Sequence, residues 1–96
     1  MPTDPFFRMP IEDVFHINNR GTVVTGAIKR GTIKVDDEVY IKGSKYYKKT
    51  MILGIEMFRK KLSHAKTGDN VGLILKDVNK EDVQGGDLLM GSGIDH

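Results

Sequence analysis

Apolar and polar positions alternate along most of this chain, in runs too short for helices. From Met9 to Gly31 the pattern reads as two strands folded on the polar turn Asn18-Asn19-Arg20-Gly21, residue types that bend the backbone or tolerate positive φ. Ile11, Val14, Phe15 and Ile17 precede the turn; Thr22, Val23, Val24 and Thr25 follow it. Residues 32–35 and 38–42 alternate again, and 70–75 (NVGLIL) and 88–90 are compact apolar strands. Residues 46–58 predict a long strand, with Gly54 marking a bulge or a close backbone approach. Residues 59–69 are polar and read as a connection ending in the turn Thr67-Gly68-Asp69, and 77–83 as a loop or one helical turn. Short strands parted by turn signals predict an all-β fold. Six strands in so short a chain favour a closed barrel, because closure leaves no exposed edge.

One local conflict stands out. Glu12 and Asp13 lie side by side inside the first strand. Consecutive strand residues face opposite sides, so either one acid points inward or the strand is irregular there. Acids are depleted in strands, and such a conflict is where function is expected.

Composition narrows the class. A chain of 96 residues makes one domain. We read residues 1–8 as an extended lead-in whose Phe6 and Phe7 seal one end of the core, 9–93 as the barrel, and 94–96 as a linker stump. The absence of cysteine excludes disulfides, thiolate metal sites and cysteine nucleophiles. No apolar run approaches the ~20 residues of a membrane helix. Met1-Pro2-Thr3-Asp4 lacks the basic start and apolar centre of a signal peptide. A net charge of +2 does not by itself argue for nucleic acid.

No catalytic or metal constellation emerges. His16, His64 and His96 have no metal-ligand spacing, and His16 reads as a barrel-surface histidine. Gly21 and Gly26 have the glycine spacing of a phosphate loop, but Ala27 and Ile28 stand where lysine and a hydroxyl are required. Asp36-Asp37-Glu38 lacks calcium-loop spacing and reads as a solvated turn.

Five segments, in order and in register, carry a family resemblance: MPIEDVF, RGTVVTG, KRG, GIEMFRK and TGDNVGLIL. Together they resemble the second domain of bacterial-type elongation factor Tu, over about Pro5 to Gly93. The resemblance implies a six-stranded antiparallel Greek-key barrel, the translation-protein barrel, in agreement with the strand reading. It implies an aminoacyl-tRNA 3′-end binding barrel of a translation GTPase that delivers aminoacyl-tRNA to the ribosome. No enzyme activity and no cofactor belong to this domain; GTP and magnesium belong to the family's first domain. The implied partners are aminoacyl-tRNA, ribosomal small-subunit RNA, the GTPase domain and a third barrel. The implied location is the cytoplasm or an organelle's stroma or matrix, with no membrane contact.

Carried over residue by residue, the resemblance places Glu12, Asp13 and Phe15 on the aminoacyl-group pocket, with Thr25 and Asn70 nearby. Ile17, Val23, Glu56 and Ile74 match the terminal-adenosine pocket. Arg59 matches a basic residue beside it that helps place the glutamate or the RNA end. Loops at Asn18, Asn19 and Arg20, and at Lys29 and Arg30, match ribosome-facing segments. The residue types suit these tasks. Apolar walls accept a flat base, a carboxylate accepts from a ribose hydroxyl, and acids attract an α-amino group. Each also has a plainer reading: Ile17, Val23 and Ile74 as core, Glu56 with Arg59 as a surface ion pair, Asn70 as a strand start. The alternative function is a protein-interaction barrel on a GTPase domain, marked by an apolar patch of Phe6, Phe7, Ile17 and Met57.

Two basic clusters remain, Lys42, Lys45, Lys48 and Lys49 around Tyr46-Tyr47, and Arg59, Lys60, Lys61 and Lys66. The first reads as a solvated face, the second as a tRNA backbone contact. The chain also departs from the family. Asn19 replaces a usual glycine, Ala27 and Lys29 replace an arginine and a glutamate, Met90-Gly91-Ser92 replaces Ala-Lys-Pro, and the loop at Ser44 to Lys48 is shortened by one residue.

Overall fold

The first strand breaks at the acidic pair, and the break closes the sheet. A computed structural model describes residues 4–43 and 46–92. The shortened loop at Ser44 and Lys45, the linker stump and the first three residues lie outside these. Strands run β1 (Arg8–Pro10), β2 (Asp13–Ile17), β3 (Gly21–Ala27), β4 (Thr32–Lys34), β5 (Glu38–Lys42), β6 (Tyr47–Met57), β7 (Lys60–Leu62), β8 (His64–Lys66), β9 (Asn70–Leu75) and β10 (Leu88–Met90). One 3-10 turn spans Lys80–Asp82.

The antiparallel order is β1-β10-β5-β6-β9-β3-β2. Its two ends, β1 and β2, are halves of one bent strand. At the bend, the Ile11 N–H donates to the Asp87 carbonyl ahead of β10, and the Glu12 N–H donates to the Thr25 carbonyl on β3. The partner changes between these two residues. Counted with β1 and β2 as one strand, six strands curl into the expected all-β barrel. Both Glu12 and Asp13 are exposed, so the irregular strand, rather than an inward acid, resolves the conflict.

Residues 60–66, read as a polar connection, instead form β7 against β6 and β8 against β4. Their side chains are solvated except Ala65 and the half-buried Leu62, so no apolar alternation announces them. The core is drawn from the inner face of every main strand: Met9, Val24, Val39, Ile41, Ile52, Ile55, Leu73 and Leu89 are all buried there. Phe7 joins this core, whereas Phe6 stays exposed, with the Arg30 guanidinium 5.0 Å from its ring centre. The pair expected to seal the core therefore divides, one ring inside and one outside. Thr50, also buried, donates its hydroxyl to the Lys76 carbonyl at 2.7 Å and ties β6 to the end of β9. No helix among the described residues is long and apolar enough to cross a membrane.

Candidate RNA-end site on the outer face of the barrel

Directly opposed residues of antiparallel strands share a face. The register aligns Phe15, Val23, Ile74 and Gly54 in one row across β2, β3, β9 and β6. It aligns Asp13, Thr25, Gly72, Glu56 and Lys61 in the next. These rows form the outer face, since the alternate residues of β9, Val71, Leu73 and Leu75, are buried in the core. Val23 is only 5% exposed yet is not part of the core cluster. It is covered on the outside of the barrel. Ile74 is half-buried and Ile17 is 38% exposed, also outside that cluster. The core reading of these three residues is thereby replaced by an outer apolar surface.

Two clefts meet on this face. A cleft of about 340 Å³ has apolar walls from Val35, Leu53, Leu62 and Ile74, with Arg20, Glu56 and Lys61 at its rim. Gly54 shapes its floor: the register slips between Ile52 and Gly54, and a Cβ at Gly54 would stand 3.0 Å from Ile74 Cδ1. The glycine thus marks both a bulge and a close approach. The bulge turns Leu53 outward, which explains an exposed leucine in the middle of a strand. A second, shallower cleft of about 230 Å³ is lined by Glu12, Thr25 and Asn70, together with Glu56, Met57, Phe58 and Gly72. Glu56 belongs to both.

The structure gathers most of the residues singled out by resemblance, but not all in the same way. Glu12, Thr25 and Asn70 share the shallow cleft. Asp13 and Phe15 lie on the same face one strand away, opposite Thr25 and Val23. Glu56 and Ile74 line the apolar cleft; Val23 is buried beside Ile74, and Ile17 ends β2 at the margin. Arg59 is exposed in the two-residue turn between β6 and β7, with Phe58 and Arg59 at φ of 52° and 67°. The guanidinium that reaches Glu56 belongs instead to Arg20, whose Nη1 donates to Glu56 Oε2. Arg59 follows Phe58 in that turn, whereas Arg20, in the turn between β2 and β3, lines the cleft. Leu53, Lys61, Leu62 and Phe58 were not singled out from sequence. Phe58, 86% exposed beside the shallow cleft, could have been suspected from its place in GIEMFRK.

The two loops matched to ribosome-facing segments do not form one patch. They lie at opposite ends of the seven-residue β3, roughly 23 Å apart at a strand's rise per residue. Asn19 has φ of 69°, a conformation that asparagine tolerates better than most residues, so its replacement of glycine costs little. In the first basic cluster, Tyr47 stacks on Tyr40 at 5.0 Å and Lys49 pairs with Glu38 at 3.3 Å. Both contacts lie on the β5–β6 pair, away from the clefts. Lys45 lies outside the described residues.

Residues 21–90 match the family model described as elongation factor Tu domain 2. The chain belongs to that family. The match covers most of the sequence, and it takes in β3 through β10 and every residue lining the apolar cleft except Arg20. An elongation factor Tu domain 2 barrel carries no catalytic machinery of its own. Among the described residues no group of three or more histidines, cysteines or carboxylates could hold a metal.

Proposed function

We propose that this barrel binds the aminoacylated 3′ end of tRNA as part of an elongation factor Tu-like translation GTPase that delivers aminoacyl-tRNA to the ribosome. The supporting observation is the position of Glu56 at the junction of the two clefts. An aminoacylated terminal adenosine has the same order: a flat apolar base, a ribose hydroxyl, then an amino acid with a cationic amine. The base fits the cleft of Leu53 and Ile74. The ribose meets Glu56, which accepts from a hydroxyl that DNA lacks. The amino acid lies toward Glu12 and Asn70, where a carboxylate attracts the amine and an amide can both donate and accept. Asp13, one strand away on the same face, adds to that attraction. Arg59 and the lysines of β7 lie where a tRNA backbone would pass. The domain positions its ligand and performs no bond chemistry; GTP and magnesium would belong to a GTPase domain of the parent protein. Small-subunit ribosomal RNA would meet the loops at Asn18–Arg20 or Lys29–Arg30, in the cytoplasm or an organelle.

An exposed patch of Phe6, Phe7, Ile17 and Met57 would support the alternative of a barrel that only packs on another domain. That patch does not form. Phe7, just ahead of β1, is fully buried, and Met57, on an inward position of β6, packs against the core.

Titration of an aminoacylated acceptor-end RNA onto this chain tests the reading. Glu56→Ala is expected to weaken binding roughly tenfold, the worth of one hydrogen bond to a charged group. Deacylated RNA should bind the unaltered chain less well than the aminoacylated form. Equal, salt-dominated affinity in every arm would reduce the site to phosphate attraction. Gly54→Val offers a steric check. It adds carbon where Ile74 Cδ1 stands 3.0 Å away and fills the floor of the apolar cleft. Binding should fall severalfold, while the melting temperature, read by circular dichroism, should hold within a few degrees.

A further inference from the structure

The sequence assigned Arg20 to a loop turned toward the ribosome. In the structure it lines the apolar cleft and a larger neighbouring cleft of about 670 Å³, which also holds His16, Lys76 and Lys80. Its side chain is 38% exposed and that of Glu56 25% exposed, so the ion pair between them is partly withdrawn from water. Two features fix where the guanidinium starts. Asn19 and Gly21 take φ of 69° and 101°, and the Arg20 N–H donates to the Ile17 carbonyl at 3.0 Å. The pair engages only Oε2 of Glu56; Oε1 has no hydrogen bond among the described residues.

Building on the proposed function, we propose that Arg20 is a positioning residue for recognition of a terminal ribonucleotide: it holds the Glu56 carboxylate across the mouth of the apolar cleft, with one oxygen tethered and the other left for a ribose 2′-hydroxyl. A carboxylate free to rotate loses side-chain entropy when it accepts that hydroxyl; one already tethered does not. A guanidinium suits this tether, because its charge is permanent and its planar group fixes the direction of the single N–H that donates. Lys61, opposite Glu56 on β7, supplies a second positive charge without a fork. Arg20 therefore governs discrimination between ribose and deoxyribose more than overall affinity.

The test compares two short RNAs ending in adenosine with a stable 3′-amide-linked amino acid, one with a 2′-hydroxyl on that adenosine and one 2′-deoxy. The readout is the ratio of their dissociation constants on the full chain. The unaltered chain should favour the hydroxyl about tenfold, and Glu56→Ala, which removes the acceptor, should bring the ratio near one. Arg20→Met should lower the ratio at least threefold, and adding it to Glu56→Ala should lower it no further, the mark of two residues acting as one unit. A merely structural arginine would weaken both RNAs equally and leave the ratio intact, which overturns the inference. So would a variant whose only change is a shallower salt dependence, since that marks a phosphate contact. If the unaltered chain and Glu56→Ala behave alike, the proposed function itself fails. If they differ as expected and Arg20→Met keeps the ratio, only the role of Arg20 falls.

Discussion

Replacing Gly26 with alanine is expected to lower the unfolding midpoint by roughly 10–20 °C, the equivalent of about 2–3 kcal/mol in a domain of this size. Gly26 lies on β3 where the bent first strand crosses it. A Cβ there would stand 2.3 Å from the Pro10 carbonyl oxygen and 3.3 Å from Met9 Cγ. The first obstacle is backbone and cannot rotate away. Met9, fully buried, limits the other direction. The crossing is also where the sheet closes, since β1 pairs with β10 and β2 with β3 on either side of it. Moving Pro10 aside would open that seam. Gly72→Ala is the control: its Cβ would meet only Val23 Cγ1 at 3.4 Å and Thr25 Cγ2 at 3.8 Å. It should melt within a few degrees of the unaltered chain. If Gly26→Ala melts with the control, the first strand does not bear on β3 and the closure described here is wrong.

Alternation made the strands legible where one face is buried and the other wet. On β9, Val71, Leu73 and Leu75 face inward while Gly72 and Ile74 face outward, and the strand was placed without difficulty. The acidic pair marked the place of the bend, although an inward acid was the other reading of it. Alternation fails where the outer face is apolar too. Val23 and Val24 are adjacent and both buried, one outside the barrel and one inside, and nothing in their chemistry separates them. Only the resemblance singled out the outer one. The β6–β7 hairpin was hidden for a different reason. Its turn places Phe58 and Arg59 at positive φ, where asparagine and glycine are the usual residues, so no turn signal marks it. The Arg20–Glu56 pair joins residues 36 apart in sequence and depends on the curl of the sheet, which local pattern does not encode.

Two neighbours on β9 separate the barrel's core from the outer face that carries the clefts. Leu73 is fully buried among core residues; Ile74, beside it, lines the outer cleft. Leu73→Ala removes inner packing on both sides, since Leu73 is opposed to Val24 on β3 and Ile55 on β6, both buried. It should cost about 3 kcal/mol of unfolding free energy in urea, with the cavity left behind adding to the lost transfer energy. Whatever fraction remains folded should bind RNA with nearly unchanged affinity. Ile74→Ala should reverse the pattern. It opens onto solvent and leaves no sealed cavity, so stability should fall by about 1 kcal/mol or less. The base, however, loses a wall of its cleft, and affinity for the aminoacylated RNA end should drop severalfold. The two measurements are independent, one by denaturant and one by titration. Were Ile74→Ala to destabilise the chain as much as Leu73→Ala, the outer cleft would be no more than a second layer of core. The half-buried Glu56 carboxylate at its rim would then have no ligand to meet. The opposite result would support Glu56, which lines both clefts, as the charged group between the proposed base and amino-acid sites.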